Sequence, residues 1–213
     1  MRAMRDFTSD DLAELQGWLQ RCIRYDGPYT LASGRQSAYY YDGRGATLDP
    51  VSAWLIGRAL VDPLLDAGAE AVGGLEVGAI PIADAAALAA HVTRGVRIPT
   101  FIVRKERKSH GITSQVAMAN QPDGSALLRP GRRVAVVDDV ITTGGSIQKA
   151  VDVVRELGCD VAVAVALVER HESGGAALRG QGFPVTRLFY TDDAGKLYVD
   201  AEFAARVTTP AAR

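Results

Sequence analysis

The sequence predicts an α/β protein in which a parallel sheet is flanked by helices and preceded by a small N-terminal flap. Short apolar strands alternate with helical segments over most of the chain, as expected of a parallel sheet covered on both sides. One of these strands, Val161–Val168, is apolar on both faces. The chain has 213 residues, 47% of them apolar and 23% charged, which suits one α/β domain with a small elaboration.

The first 48 residues predict the flap, a set of elements added to the core at 49–200. Residues Thr8–Ile23 carry apolar side chains at helical spacing, and Thr8 with Asp11 forms a candidate capping box. Two short strands, Pro28–Leu31 and Ala38–Asp42, then flank a Ser-Gly-Arg turn. This pattern predicts a small hairpin.

The core opens with a helix that begins at Asp49 and Pro50, a favourable N-cap followed by proline in the first turn. We expect Gly68 to end this helix and Pro63 to kink or interrupt its second half. The remaining predicted elements are the strands Ala71–Leu75, Thr100–Val103, Arg133–Val137, Val161–Val168 and Pro184–Phe189 and the helices Pro81–His91 and Ser146–Leu157.

Residues 104–131 have little apolar periodicity and are too long for an ordinary connection in a compact fold. Because this segment is rich in Lys and Arg near its start, it predicts a charged, mobile lid. A solvated loop whose basic residues aid solubility is the alternative, and the pattern alone does not separate the two. Residues 201–213 are interpreted as a tail.

Composition excludes several classes of protein. A net charge of −1 and a pI near 6.3 argue against non-specific binding of nucleic acid. Cys22 and Cys159 lack metal-ligand spacing, so we expect a reduced cytoplasmic protein without a disulfide framework or zinc site. The longest apolar run has eight residues, whereas a membrane span needs about 20. We therefore expect no membrane segment.

The segment Val134–Ser146 carries the strongest chemical signal. A buried strand leads into Asp138 and Asp139, then into a loop of Thr, Gly and Ser, then into a helix. Backbone N–H groups at a helix N-terminus, with hydroxyls beside them, form a cradle for phosphate. The spacing is that of neither an NTPase P-loop nor a dinucleotide-binding turn. Paired acids beside this cradle favour a polyol phosphate; an ordinary strand–turn–helix connection is the alternative.

This segment resembles the 5-phosphoribosyl-1-pyrophosphate motif of type I phosphoribosyltransferases over thirteen contiguous positions. The resemblance implies that fold, and implies that Asp138 and Asp139 hold the ribose hydroxyls and act in catalysis. It also implies Mg²⁺ as the cofactor, held mainly by substrate with no direct protein ligand predicted. Further residues implied to bind phosphoribosyl pyrophosphate are Val140, Ile141, Thr142, Thr143, Gly144, Gly145 and Ser146.

The basic segment after Val103 resembles the mobile loop of the orotate phosphoribosyltransferases, Arg-Lys-x-x-Lys-x-His-Gly. The resemblance implies a lid that closes over pyrophosphate, often in the neighbouring subunit of a homodimer. A cationic lid suits a leaving group with several negative charges. Lys108 is the catalytic candidate in this loop, and the implied pyrophosphate-binding residues are Arg104, Lys105, Lys108 and His110.

The glycine-rich turn Gly73–Pro81 is similar to the pyrophosphate loop of that family, which makes Glu76 and Val77 candidates for binding phosphoribosyl pyrophosphate. Many members carry lysine where Val77 stands, and bacterial members usually carry lysine where Ala32 stands. An ordinary strand-to-helix turn is the alternative interpretation of this segment.

The resemblance also implies a binding site for the base, formed by Tyr40, Tyr41, Thr142 and Arg170. Two aromatic rings suit a flat pyrimidine, and a guanidinium suits the carboxylate of orotate. The alternatives are tyrosines that only pack the hairpin and an arginine that is a surface charge.

The resemblance as a whole implies Mg²⁺-dependent transfer of ribose 5-phosphate from phosphoribosyl pyrophosphate to orotate, with no nucleic acid or membrane partner. A transferase for another base, and a non-catalytic sensor of phosphoribosyl pyrophosphate, remain the alternatives. The segment 112–129 is longer than the corresponding part of most members.

Overall fold

A computed structural model of the chain describes residues 6–30, 34, 36–106, 115–118, 121, 123–171 and 174–207. Within these residues a seven-stranded sheet has helices on both faces, in the strand order β11-β10-β9-β8-β5-β6-β7. The five central strands are parallel, and the two edge strands are antiparallel to their neighbours. The predicted fold class is confirmed. The strands of this sheet are β5 Ala71–Leu75, β6 Thr100–Val103, β7 Val116–Met118, β8 Arg133–Ile141, β9 Asp160–Glu169, β10 Val185–Thr191 and β11 Leu197–Val199.

Helices cover the two faces of the sheet and enclose two hydrophobic cores. One core lies under α3 and α4 and also receives α1, and the other lies under α5. The helices are α1 Ser9–Arg21, α2 Arg44–Thr47, α3 Pro50–Asp66, α4 Ala79–Arg94, α5 Gly145–Glu156, α6 Gly174–Arg179 and α7 Ala201–Ala204.

Helix α1 begins as its sequence predicts. The Thr8 hydroxyl accepts a hydrogen bond from the Asp11 N–H, and the Asp11 carboxylate accepts one from the Thr8 N–H, which completes the capping box. Asp11 also accepts from Arg58 of α3 at 2.8 Å, and the side chain of Arg58 is buried. One aspartate thus starts the helix and ties the flap to the core.

The flap is paired differently from the prediction. Its strands are β1 Ile23–Arg24, β2 Tyr29–Thr30, β3 Gln36–Ser37 and β4 Tyr40–Tyr41. Strand β2 pairs with β3, whereas β4 pairs with β1. The single hairpin predicted from 28–31 and 38–42 is therefore wrong. Strand β4 instead returns to the end of α1, where it can bury every second side chain.

Several other element boundaries differ from the prediction, most clearly those of α3, β8 and α4. Helix α3 continues through Pro63 to Asp66, so the predicted interruption is wrong. Proline costs one backbone hydrogen bond there, and the buried apolar face of the helix offsets that loss. Strand β8 continues four residues past Val137, and α4 extends beyond both of its predicted ends. Such ends depend on neighbouring elements rather than on local sequence.

The segment predicted as a structureless lid contains a strand. Strand β7 pairs antiparallel with β6 and forms one edge of the sheet, and Leu127 and Leu128 are buried in the core under α5. The tail prediction also needs correction at its start, because α7 places Phe203 in the core under α3.

Helices α3 and α4 approach closely at Gly57, where an added Cβ would lie 2.3 Å from the Ala85 carbonyl oxygen. We predict that Gly57→Ala lowers the free energy of unfolding by about 1–3 kcal/mol, since backbone must move to admit the methyl group. Urea denaturation checks this.

Gly17→Ala in α1 is the matched control, because its added Cβ would meet only Arg21 Nη1, at 3.6 Å. Without overpacking, exchange of a helical glycine for alanine should stabilise by up to about 1 kcal/mol. Equal effects of the two exchanges would contradict the close approach.

Candidate active site

The predicted phosphate cradle lies where β8 ends and α5 begins. Gly144 has φ +80° and precedes the first residue of α5. This left-handed conformation, which glycine adopts without strain, turns the chain so that the helix N-terminus faces the loop 142–144. The N–H groups of a first helical turn have no partner within the helix and carry a partial positive charge. The loop therefore presents donors suited to a phosphate group.

Asp138 and Asp139 lie in the last part of β8, directly before this loop. Asp138 is buried, and its Oδ1 accepts a hydrogen bond from the Asp139 N–H at 3.0 Å. Burial raises the pKa of the Asp138 carboxyl well above its ordinary value, and the neighbouring charge of Asp139 adds to this. Burial also raises the pKa of Asp139. Both carboxylates are thus short of solvation, and hydroxyl donors or a cation would stabilise their charged forms.

Two glycines enclose the Asp139 carboxylate from opposite elements. A Cβ added to Gly43 would lie 2.7 Å from Asp139 Oδ2, and one added to Gly78 would lie 2.7 Å from Oδ1. Gly43 belongs to the flap and Gly78 follows β5. Any side chain at either position would displace the carboxylate.

Strand β5 leads into the second loop of the site. The Glu76 N–H donates to the Val103 carbonyl at 2.8 Å, and Glu76 Oε1 accepts from the Lys105 N–H at 3.0 Å. Glu76 therefore joins the loops that follow β5 and β6, and its peptide bond to Val77 is cis. Val77 is 69% exposed, so the site is open to solvent at this residue.

The two candidate tyrosines of β4 have different environments. Tyr40 is 39% exposed and its ring lies 5.5 Å from that of Tyr29, whereas Tyr41 is 4% exposed. Neighbouring residues of a strand point to opposite faces, which explains the difference. Burial raises the pKa of Tyr41 well above its ordinary value, and the charge of Asp139 contributes. The aromatic pair therefore consists of one accessible ring and one core ring.

Arg170 follows β9 and is only 3% exposed, so its interpretation as a surface charge is wrong. Its N–H donates to the Ile141 carbonyl at 2.9 Å, which fixes its backbone beside the end of β8. Its guanidinium donates to the Ser37 hydroxyl at 2.9 Å. An arginine from the end of one strand is thus held against the flap.

The basic loop reaches the site in part. Lys105 lines the cavity described below, whereas Arg104 does not, and Lys108 and His110 lie outside the described residues. The Arg104 N–H donates to the Gln115 carbonyl at 2.8 Å, which brings the two ends of the segment between them together.

These elements surround one cavity of about 530 Å³ at the carboxyl edge of the sheet. It lies where β6 and β8 depart to opposite sides of β5, the position at which open α/β sheets bind ligands. Its lining also includes three residues that were not predicted, Thr30, Leu75 and Gly78. The predicted residues in the lining are Tyr40, Tyr41, Glu76, Val77, Lys105, Asp138, Asp139, Val140, Ile141, Thr142, Thr143, Gly144, Gly145, Ser146 and Arg170.

Sequence reasoning missed two further contributors, Gly43 and Lys149. Lys149 lies in the first turns of α5 and its ammonium donates to the Lys105 carbonyl oxygen. A lysine one turn after the phosphate loop was the available signal. No sequence signal indicated the role of Gly43, because its contact with Asp139 joins residues far apart in the chain.

A strand–loop–helix turn with the features of a phosphate cradle, beside two acids of which Asp138 is buried, is an arrangement suited to a phosphorylated sugar. The family model for the phosphoribosyl transferase domain matches residues 60–179. The orotate phosphoribosyltransferase of Bradyrhizobium diazoefficiens is 39% identical over 163 residues, which cover 76% of this chain and 84% of that protein.

Solved structures give the same result. The orotate phosphoribosyltransferase of Mycobacterium tuberculosis H37Rv matches with a TM-score of 0.71 at 34% identity, over 87% of this chain and 99% of that chain. A complex of that enzyme with 5-phospho-α-D-ribosyl 1-diphosphate matches with a TM-score of 0.65 at 31% identity, over 83% and 94% of the two chains. The chain belongs to the type I phosphoribosyltransferase family.

The buried carboxyl group of Asp138 gives a stability prediction with a defined sign. Its raised pKa means that the folded protein bears the cost of a buried charge at neutral pH. Well below pH 4, the carboxyl group is protonated in both the folded and unfolded chains, and that cost disappears. Asp138→Asn should therefore raise the melting temperature at pH 7.5, by an amount that shrinks towards pH 4.

Differential scanning calorimetry across this pH range measures the effect. Asp160→Asn, at an exposed position at the start of β9, has no buried charge to relieve and should show no such trend. A melting temperature of Asp138→Asn at or below that of the wild type throughout would contradict the inferred cost.

Proposed function

We propose that this protein is an orotate phosphoribosyltransferase that transfers ribose 5-phosphate from phosphoribosyl pyrophosphate to orotate, with release of orotidine 5′-monophosphate and pyrophosphate. The reaction belongs to pyrimidine synthesis. One observation carries the proposal: the phosphate loop, the paired acids and the buried Arg170 border the same cavity. Relatives that cover most of the chain bear that enzyme's name.

In this proposal the loop 142–146 binds the 5′-phosphate through backbone N–H groups and hydroxyls. Asp138 and Asp139 accept hydrogen bonds from the 2′- and 3′-hydroxyls of ribose. Cleavage of the bond to pyrophosphate leaves a ribosyl group with oxocarbenium character, and two carboxylates held nearby stabilise that positive charge. Because these groups are already in place before the reaction, little reorganisation of the protein is needed to stabilise the transition state.

The pyrophosphate group would lie towards the loops after β5 and β6. Lys105 reaches the cavity, and Lys108 and His110 follow it in the chain. The acidic side chain of Glu76 already accepts a hydrogen bond from the Lys105 backbone, so we assign it to holding the two loops together. Lys108 is the cation proposed to neutralise charge that develops on pyrophosphate.

The residues present fit Mg²⁺ bound chiefly through substrate. Mg²⁺ usually keeps several waters and is bound largely through substrate phosphates, so Asp138 and Asp139 would act on it through the ribose hydroxyls that they hold rather than as direct ligands. Among the described residues no group of three or more His, Cys, Asp or Glu side chains could hold a metal ion. When bound, Mg²⁺ would neutralise the leaving pyrophosphate.

The base would lie between Tyr40 and Arg170, beside Thr142. Tyr40 offers an accessible ring for a flat pyrimidine, and Tyr41 supports β4 from the core. A guanidinium binds a carboxylate with paired hydrogen bonds, which favours orotate over bases without a carboxylate. Val140 and Ile141 connect the ribose and phosphate parts of the site.

We further propose a cytoplasmic homodimer of single-domain chains, in which the basic loop serves the partner's site. Strand β7 pairs with β6 of the same chain and so stays with that subunit. The part of the basic loop proposed to enter the partner's site is therefore the segment between Arg104 and Gln115. About five residues in each direction allow it to extend roughly 16–18 Å. No helix in the described residues has the length and apolar character of a membrane span.

Arg170→Ala tests the base assignment. Loss of a charge-assisted pair to the orotate carboxylate costs ~1.5–3 kcal/mol, so the KM for orotate should rise roughly 10- to 150-fold. The KM for phosphoribosyl pyrophosphate should stay nearly unchanged. Steady-state rates of pyrophosphate release, with Mg²⁺ present and each substrate varied in turn, give both constants.

The wild-type enzyme should be assayed in parallel with orotate, uracil and hypoxanthine. Faster turnover of uracil or hypoxanthine would refute orotate as the substrate. Equal increases in both KM values for Arg170→Ala would instead assign Arg170 a purely structural role.

Lys108→Ala tests the lid. A cation that acts mainly as charge develops on pyrophosphate should affect kcat more than substrate affinity, and the loss could reach ~10²–10³-fold. If the loop serves the neighbouring site, Lys108→Ala and Asp139→Asn chains should restore activity when mixed. A two-fold dimer with one chain of each kind has one site with both parts intact.

Random mixing makes about half of the dimers mixed, so roughly a quarter of wild-type activity should return. Mass spectrometry of differently tagged chains confirms subunit exchange. Activity no higher than that of the separate mutants, with exchange complete, would show that each lid serves its own site.

A further inference from the structure

The guanidinium of Arg170 lies over the ring of Tyr39, with its Cζ 4.3 Å from the ring centroid. Tyr39 is fully buried and Arg170 is 3% exposed. A cation over an aromatic face is attracted by the ring quadrupole, and more strongly when water is excluded. Tyr39 was not among the predicted site residues, and its ring supports the one arginine that the proposed function assigns to the base.

Ser37 holds the same guanidinium from its edge. The Ser37 hydroxyl accepts from Arg170 Nη2 at 2.9 Å and donates to the Tyr39 carbonyl at 2.7 Å. Serine and tyrosine belong to one short stretch of the flap, so a single segment contacts both the face and the edge of the guanidinium. A planar group held in both directions has a defined orientation.

The ring of Tyr39 is itself held at the end of β10, the strand next to β9. Its hydroxyl forms a hydrogen bond of 2.7 Å with the hydroxyl of Thr191, at the end of β10. An added Cβ at Gly195 would lie 2.7 Å from the ring. The turn between β10 and β11 therefore packs against the ring and leaves it little room to tilt.

From this arrangement we propose that Tyr39 and Ser37 are positioning residues that set the plane of the Arg170 guanidinium for a base carrying a carboxylate. A guanidinium binds a carboxylate best when the two groups are coplanar. A ring against one face keeps the N–H groups directed sideways, in the plane of an incoming carboxylate. This proposal rests on the proposed function, since it needs orotate at Arg170.

Tyr39→Leu removes the ring but keeps an apolar side chain. The KM for orotate should rise about 10- to 30-fold, the loss expected for a desolvated cation–π contact. The KM for phosphoribosyl pyrophosphate should change less than about twofold, because the phosphate loop is untouched. Tyr39→Phe keeps the ring and should hold the orotate KM within about threefold of the wild type, at the lower end of hydrogen-bond losses.

Phe183→Leu is the matched control. It removes another buried ring that lies below an arginine, with Arg155 Cζ 5.2 Å from its centroid, and Phe183 does not line the cavity. Both leucine variants should lose thermal stability, but only Tyr39→Leu should change the KM for orotate.

Ser37→Ala provides a second variant should Tyr39→Leu fail to fold. Loss of this positioning hydrogen bond should raise the orotate KM about 5- to 10-fold, within the range of a typical hydrogen bond, again without change for phosphoribosyl pyrophosphate. Wild-type values for both Ser37→Ala and Tyr39→Leu, or equal rises in both KM values, would overturn the positioning role while the proposed function stands. Absence of wild-type turnover with orotate would refute the proposed function, and this inference with it.

Discussion

The carboxylates of Asp138 and Asp139 are held close together at the partly buried end of a strand, and the rest of the site depends on this arrangement. Both lie in the last part of a central strand, which leads directly into the phosphate loop. Burial opposes their ionisation, and this cost is one that hydroxyl donors or a divalent cation nearby would relieve. Gly43 and Gly78 exist as glycines for the same reason, because each lies against the Asp139 carboxylate where no side chain fits. In the proposed function, the hydroxyl groups of the ligand thus provide the hydrogen bonds that the buried carboxylates lack.

Strand order determines how the other parts meet these carboxylates. Because β5 lies between β6 and β8, the loops after three successive parallel strands open around one cavity. The loop after β8 carries the proposed phosphate site, the loop after β5 lies beside Asp139, and the loop after β6 brings Lys105. The fourth contribution is Arg170 at the end of β9, whose guanidinium is fixed by the flap rather than by the sheet. In the proposed function, the sheet therefore binds the ribosyl donor, and the flap orients the group that selects the base.

The parts predictable from sequence are those in which neighbouring residues share one task. The segment from Val134 to Ser146 is continuous, so its pattern alone indicated a strand, paired acids and a phosphate loop. Arg170 was predicted from the resemblance to the family, since a lone arginine after a strand is more often a surface charge. By contrast, Tyr39 lies 131 positions before Arg170, and no local period relates them. The strand β7 was missed for a similar reason: three residues gain strand geometry only by pairing with the edge of β6. The pairing within the flap likewise depended on the end of α1, which local turn signals do not report.

The central claim is that the paired carboxylates stabilise the ribosyl group during transfer, and replacing both tests it most directly. The measurement is kcat for pyrophosphate release from phosphoribosyl pyrophosphate and orotate, with Mg²⁺, in the variant Asp138→Asn/Asp139→Asn. The account predicts a folded protein, with a melting temperature at or above that of the wild type, whose kcat falls by at least about 10³-fold. Asp160→Asn should keep wild-type turnover, since that residue is exposed at the opposite end of β9. A double variant that folds and retains most of its kcat would contradict the account.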